Sequence, residues 1–423
     1  MSHFSIKCRK CGKVLENTYC AFCEHCKDAL LITQYADRQF ATDRGEGICQ
    51  SGDIWRFNWL PVHRPGFGQP GPVVYLSTGL AGRLGIEELY ISFSGYWPEK
   101  GALLKTCTFK EFEAAMVIQN AVENQMEGLV VASAGNTARA FAHLAKVSGF
   151  RAVIVVPSMC LPDMWYLEER AVPTIAISDG DYSDSIATAK RIALVSGMPF
   201  EGGVKNIAKR DGLGVVLLEA ADVMKKLPRH YFQAVGSGAG AIAVWEMAER
   251  LLADGRFGSS LPVLHLAQNL PFAPMAKAYW KKSREISPAD ISFSLVGETT
   301  TRVLTNRYPA YGVLGGVFDA LEATGGAMYG VANEEVYAAM ELFKDAEGTD
   351  IVPAAGVAVA ALIQAVKYKN IGKDGPVLLN ITGGGEAVLR SERPVYRVSP
   401  SIISKDIHEK EIEDLLCETL KKS

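Results

Sequence analysis

Apolar positions recur at helical spacing through Asn136–Ser148, where Ala138, Phe141, Ala142 and Ala145 share one face. A short apolar run at Gly128–Ala132 precedes that helix, and another at Ala152–Val156 follows it and stops at Pro157. Both predict buried strands. The pattern continues with a helix over Leu161–Arg170, a strand over Thr174–Ile177 and a helix over Ser183–Val195, opened by a Ser or Asp cap. A second series predicts helix Gly212–Lys225, strand Tyr231–Val235, helix Ala239–Leu252 and strand Pro262–Leu266. Helices Asn333–Lys344 and Pro353–Lys367 and strand Pro376–Leu379 come later. Short strands alternating with amphipathic helices imply parallel sheets covered by helices on both faces. The fold class is therefore α/β, with two doubly wound domains and a cleft between them.

The flanks read differently. Residues 1–45 are Cys-rich and polar, a ribbon-like segment. Residues 46 to about 110 are rich in Gly, Pro and Trp, which is loop chemistry, yet Trp55, Trp59, Leu60 and Tyr75 anchor it. We expect an N-terminal α/β domain over 46–205, a C-terminal one over 206–400 and a tail over 401–423. The charged amphipathic stretch Asp406–Ser423 predicts a terminal helix. No internal repeat or low-complexity tract is visible.

Composition narrows the function. The chain has 423 residues, 48% of them apolar and 22% charged, with a net charge of −3. That length fits two or three domains, and the balance gives no field favouring nucleic acid or an anionic membrane. The start lacks the apolar centre of a signal peptide. The longest apolar stretch, Val352–Val366, falls short of the roughly 18–20 residues that span a bilayer. A cytoplasmic protein is expected, with neither nucleic-acid nor membrane partners.

Five of the nine cysteines crowd into residues 8–26. In a reducing compartment this points to a metal rather than to disulfides. Cys8 and Cys11 make one Cys-x-x-Cys knuckle, followed by Gly12, which permits the tight turn. The second knuckle is either Cys20/Cys23 or Cys23/Cys26. The latter is preferred, because Ala29, Leu30 and Leu31 follow it as the start of a strand. Four thiolates from Cys8, Cys11, Cys23 and Cys26 would suit a structural Zn²⁺. The nearby Lys7, Arg9, Lys10 and Lys13 read as a solvated face, since Glu16, Glu24 and Asp28 lie among them.

Four segments carry candidate chemistry. Lys110 follows Thr108 and Phe109 and opens an apolar helical run, where burial and the helix N-terminus both favour a neutral amine. Ser133-Ala134-Gly135-Asn136-Thr137 lies where a strand becomes a helix, so its amide groups could take an anion. Gly236-Ser237-Gly238-Ala239-Gly240 repeats that strand–loop–helix arrangement and could wrap a phosphate. It could equally be a nicotinamide fingerprint, but its sixth position is Ala241 and no acidic residue ends a second strand at the usual distance. Thr382 ends a strand before Gly383, Gly384 and Gly385, at the edge where α/β folds bind ligands.

In this order the segments resemble the fold-type-II pyridoxal 5′-phosphate (PLP) enzymes of the threonine-synthase-like family. Lys205-Asn206-Ile207-Ala208-Lys209-Arg210-Asp211-Gly212 and Pro353-Ala354-Ala355-Gly356 strengthen the likeness, which runs from about residue 8 to about 395. Threonine synthases usually read Ser-Phe-Lys-Asp-Arg at the lysine, whereas here the string is Thr108-Phe109-Lys110-Glu111-Phe112. With Gly95-Tyr96-Trp97-Pro98, it is most similar to the cysteate synthase branch. The resemblance implies that Lys110 carries PLP as a Schiff base and serves as the catalytic base. Asn136 would contact the ring oxygen, Gly236–Gly240 the phosphate and Thr382 the ring nitrogen. Ser133, Ala134, Gly135 and Thr137 would hold the substrate carboxylate. The implied reaction joins O-phospho-L-serine and sulfite into L-cysteate, and a homodimer is implied too. Two anionic substrates call for cations, for which Lys105 and Arg139 are the candidates. Threonine synthesis from O-phosphohomoserine, a non-catalytic PLP scaffold bearing a zinc-ribbon module, and a nicotinamide oxidoreductase are the competing readings.

Overall fold

The computed structural model describes residues 3–15, 19, 23–42, 52–169, 171–371, 375–404 and 406–414. Three sheets of three or more strands organise them, beside two short two-stranded pairings. Strands β1 (Phe4–Cys8), β2 (Val14–Leu15) and β3 (Leu31–Tyr35) form a small antiparallel ribbon in the order β2-β1-β3. The larger α/β sheet contains β4 (Val73–Leu76) and β5 (Leu89–Phe93). The smaller one contains β6 (Gly128–Ala132), β7 (Arg151–Pro157) and β8 (Thr174–Ile177). The large sheet is completed by β9 (His230–Ala234), β10 (Val263–Asn269), β11 (Ala327–Val331) and β12 (Val377–Ile381). β13 (Ser401–Ile403) returns to the small one. The small sheet runs β13-β8-β7-β6, all parallel. The large sheet runs β11-β10-β9-β12-β5-β4, parallel except where β4 meets β5.

The sheets do not divide at residue 205 as the expected domains do. β4 and β5, from a stretch expected to be irregular, join the large sheet through β12. β13, in the expected tail, closes the small sheet beside β8. Central strands such as β9 and β12 are buried along their whole length, as parallel strands covered on both faces must be. Their polar members are paired inside: Asn380 Nδ2 donates to the Tyr231 hydroxyl at 2.8 Å and to Gln233 Oε1 at 3.0 Å.

The predicted helices α2 (Asn136–Ser148) and α5 (Ala239–Asp254) stand close to expectation, and that over Pro353–Lys367 matches it. α1 covers Lys110–Glu123, and α3 covers Tyr182–Ser196 with Asp181 as its cap. α4 (Ile207–Met224) starts five residues before the predicted Gly212. The Asn206 side chain caps it, accepting from Ala208 N at 2.9 Å, and all but three of its 18 residues are buried. Lys209, Arg210 and Asp211 lie in its first turns, and their charge hides the helix from an apolar pattern. The helix expected over Leu161–Arg170 is absent. A 3₁₀ turn over Ser158–Asp163 leads into Trp165 and Tyr166, which pair with Arg397 and Tyr396 as strands. Tertiary contact outweighs local spacing there, since the Trp165 ring lies under the guanidinium of Arg139 at 4.1 Å. Half of the predicted terminal helix, residues 415–423, lies outside the described residues. Among those described, no helix is long and apolar enough to cross a membrane.

Candidate active site

Lys110 is the first residue of α1. Its position is fixed by backbone, because Thr108 bridges Gly383 and Phe109 N donates to Thr382 O at 3.0 Å. Two segments more than 270 residues apart are thereby laced together at the C-terminal end of β12. The turn before the lysine is held by Glu111, which accepts from Thr106 Oγ1 at 2.7 Å and from Gln69 Nε2 at 3.2 Å.

The loop between β6 and α2 is shaped by Ser133. Its hydroxyl oxygen accepts from Gly135 N at 3.0 Å and Ala138 N at 2.8 Å. The Asn136 Oδ1 atom accepts from Arg139 Nη2 at 3.0 Å, which leaves the amide nitrogen to donate elsewhere. The glycine loop leads from β9 into α5, whose first-turn amide groups have no partner within the helix. Gly238 has φ +86°, and a Cβ there would meet Val317 Cγ2 at 2.4 Å, so the loop tolerates no side chain at that point.

These pieces face one cavity. Lys110, Ser133–Thr137, Gly236–Gly240 and Thr382 all line it. An amine, a ring of backbone donors, an amide and a neutral hydroxyl form a donor set that fits PLP. A larger cavity of 810 Å³ adjoins it and shares Ala134, Gly135 and Asn136. Arg139 lies on its wall but is committed to Glu386 Oε1 at 2.7 Å. Arg302 and Arg390 also line it, and their nearest carboxylates are only at 3.9 and 3.8 Å. Lys105 is exposed and lines neither cavity.

Sequence reasoning missed the charged group beneath the lysine. Glu113, fully buried, accepts from Lys110 Nζ at 2.9 Å, Lys209 Nζ at 3.1 Å and Thr137 Oγ1 at 2.7 Å. Lys209 also meets Glu201 at 3.3 Å. Burial pushes the Lys110 amine below its ordinary range despite Glu113. Burial acts on Lys209 in the same sense, but Glu113 and Glu201 outweigh it and hold that ammonium charged. Burial also opposes the Glu113 charge, yet Lys110 and Lys209 together keep this carboxyl below the usual range. The signal available in the sequence was an acid at i+3 from Lys110; Lys209 gave none, because it stands in the charged run Lys209-Arg210-Asp211.

The Cys8, Cys11, Cys23 and Cys26 sulfurs all lie within 4.8 Å of one another, with 3.8 Å between those of Cys11 and Cys23. Zn–S bonds of about 2.3 Å in a tetrahedron place sulfurs about 3.8 Å apart, so the four thiols fit Zn²⁺. Cys20 lies outside the described residues. Two of the basic residues around this cluster are engaged within the protein. Arg9 stacks on Trp245 and pairs with Glu249 at 3.0 Å, and Lys10 pairs with Asp28 at 2.6 Å.

Comparison with known proteins agrees with this geometry. Residues 96–383 match the family described as pyridoxal-phosphate dependent enzyme. A cysteate synthase of Methanosarcina barkeri is 46% identical over 413 residues, covering 96% of this chain and 98% of the relative. One of Methanocella arvoryzae is 47% identical over 409 residues, covering 95% of each. Among solved structures, maize serine racemase superposes with a TM-score of 0.56 at 17% identity, over 75% of this chain and 90% of that one. A threonine deaminase from Solanum lycopersicum gives 0.53 at 17% identity, over 76% and 86%. The chain thus belongs to the pyridoxal-phosphate-dependent enzymes and, within them, to the cysteate synthase family.

Proposed function

We propose that this chain joins O-phospho-L-serine and sulfite to give L-cysteate and phosphate. The observation that carries the reading is the convergence of Lys110, Asn136, the glycine loop and Thr382 on one cavity, in a chain whose cysteate synthase relatives match along almost its full length. PLP, held through Lys110, supplies the electron sink that makes the substrate Cα–H acidic and lets the Cβ substituent depart. The protein does the rest. Lys110, released when substrate binds, takes the Cα proton and later returns it. Amide groups of the Ser133–Thr137 loop receive the substrate carboxylate, and the Thr137 hydroxyl, tied to Glu113, fixes that loop against α1. The Asn136 amide nitrogen would donate to the ring oxygen of PLP. Thr382 would offer the ring nitrogen a neutral hydroxyl rather than a carboxylate, which would restrain charge build-up on the ring and favour elimination and replacement over transamination.

Two anions must reach this site. Arg302 and Arg390 on the adjoining cavity are the cations best placed to draw in phosphate and sulfite, because neither is held in a tight ion pair. Arg139 is instead a positioning residue that orients Asn136 while bound to Glu386.

The test uses purified protein and its Lys110→Ala variant, with O-phospho-L-serine given with and without sulfite and products identified by mass. Cysteate formed by the wild type only with sulfite, and not by the variant, is the expected result. Threonine from O-phosphohomoserine, with phosphoserine ignored, would replace the substrate assignment. A colourless protein unable to take up PLP would overturn the reading altogether.

A further inference from the structure

The environment of Lys110 contains more charge than holding a cofactor requires. Two carboxylates, Glu113 and Glu201, are buried beside it, with side chains 0% and 2% exposed. Left to themselves they would keep the Lys110 ammonium ion paired, and a paired ammonium is neither nucleophile nor base. A second lysine sits between them. Lys209 Nζ is 3.1 Å from Glu113 and 3.3 Å from Glu201, its side chain 6% exposed. It comes from a different helix, α4, and lines the same cavity as Lys110. The Tyr182 hydroxyl faces this group from α3 and is held neutral, burial pushing it well above its ordinary range.

We propose that Lys209 is a positioning residue that competes with Lys110 for Glu113, so that the Lys110 amine can leave its ion pair and enter the cavity uncharged. Glu113 binds the two lysines through different oxygens: Oε2 receives Lys110, and Oε1 receives Lys209 and Thr137. When Lys110 moves away, Oε1 keeps both of its partners, and the carboxylate is neither stranded nor forced to take up a proton. An uncompensated buried carboxylate would be costly, so Lys209 makes the departure affordable. The direction of the Lys110 shift, downward although a carboxylate lies 2.9 Å away, agrees with this division of labour. Glu113 also anchors Thr137, so the lysine and the loop for the substrate carboxylate share one buried counter-ion.

This role rests on the assignment of Lys110 as the reacting amine, and the test separates the two. Competitive labelling of the cofactor-free protein with acetic anhydride across a pH series, read by mass on the Lys110 peptide, gives the titration midpoint of that amine without cofactor or turnover. Lys209→Met should raise the midpoint by a unit or more, so that labelling near neutral pH falls about tenfold per unit. Lys209→Arg should restore it, and adding Glu113→Gln to Lys209→Met should bring it back down. Glu113→Gln alone should lower it, a readout that stands if Lys209→Met fails to fold. Midpoints equal to wild type in Lys209→Met, or in Glu113→Gln, would overturn the proposal. PLP uptake measured on the same samples tests the cofactor assignment separately.

Discussion

Replacement of Arg210 by methionine tests the account of how α4 is held. Arg210 is fully buried. Its Nε donates to Glu246 Oε2 at 3.1 Å, one terminal nitrogen donates to Val204 O at 2.5 Å, and the other to Leu31 O in the ribbon. Arg210→Met removes the cation but leaves Glu246, itself 3% exposed, inside. Stranding one partner of a buried pair costs about 3–5 kcal/mol. Arg9 lies 3.7 Å from Glu246 Oε1 and supplies partial compensation, so the lower end, about 3 kcal/mol, is expected. The double variant Arg210→Met/Glu246→Leu removes both charges and should regain most of the loss, since apolar replacement of a buried pair is often neutral or better. Arg9 keeps Glu249 and Trp245 in that variant. Urea unfolding followed by tryptophan fluorescence, with midpoint and slope compared, measures both. A single variant destabilised by less than about 1 kcal/mol, or a double variant no better than the single, would refute the reasoning.

Gly385→Ala should destabilise by more than about 2 kcal/mol, because φ is +76° and the new Cβ would fall 1.7 Å from Tyr96 O, a collision no rotamer relieves; a melting temperature equal to wild type would count against it. Asp181→Ala removes the cap bonds to Ser183 N and Asp184 N, at 2.8 and 3.2 Å, and the pairing with Arg307 at 3.1 Å. A loss of about 1–2 kcal/mol is expected, with hydrogen exchange rising in Tyr182–Ser196 before the rest of the chain. Atomic absorption should find one zinc per chain, lost in Cys11→Ser and retained in Cys20→Ser; equal loss in both would reassign the second knuckle.

Much of this was legible in the sequence because it rests on local rules. Asn136–Ser148 and Pro353–Lys367 show their periodicity openly, and glycine between strand and helix announced the Ser133–Thr137 and Gly236–Gly240 loops. The four favoured cysteines converge as their spacing suggested. What stayed hidden depends on distant partners. β5 becomes a strand by pairing across the sheet with a segment nearly 300 residues later, which no window of sequence displays, and β4 then adds to its outer edge. Lys209, Arg210 and Asp211 resemble a polar loop until Glu113, Glu246 and Arg250 are brought to them. Arg139 looked like a free cation for substrate because its partner, Glu386, lies 247 residues away.

The placement of β5 beside β12 has a consequence for biosynthesis. Leu89, Ile91 and Phe93 are buried in the finished sheet, but the neighbour that covers that edge begins at Val377, 284 residues after Phe93. At roughly 5–20 residues per second, translation leaves the edge uncovered for about a quarter of a minute to a minute. The small sheet is completed later in the chain, since its last strand ends at Ile403. Neither sheet is complete until the last tenth or so of the chain is being made, and an unpaired apolar edge is the kind of surface on which nascent chains aggregate.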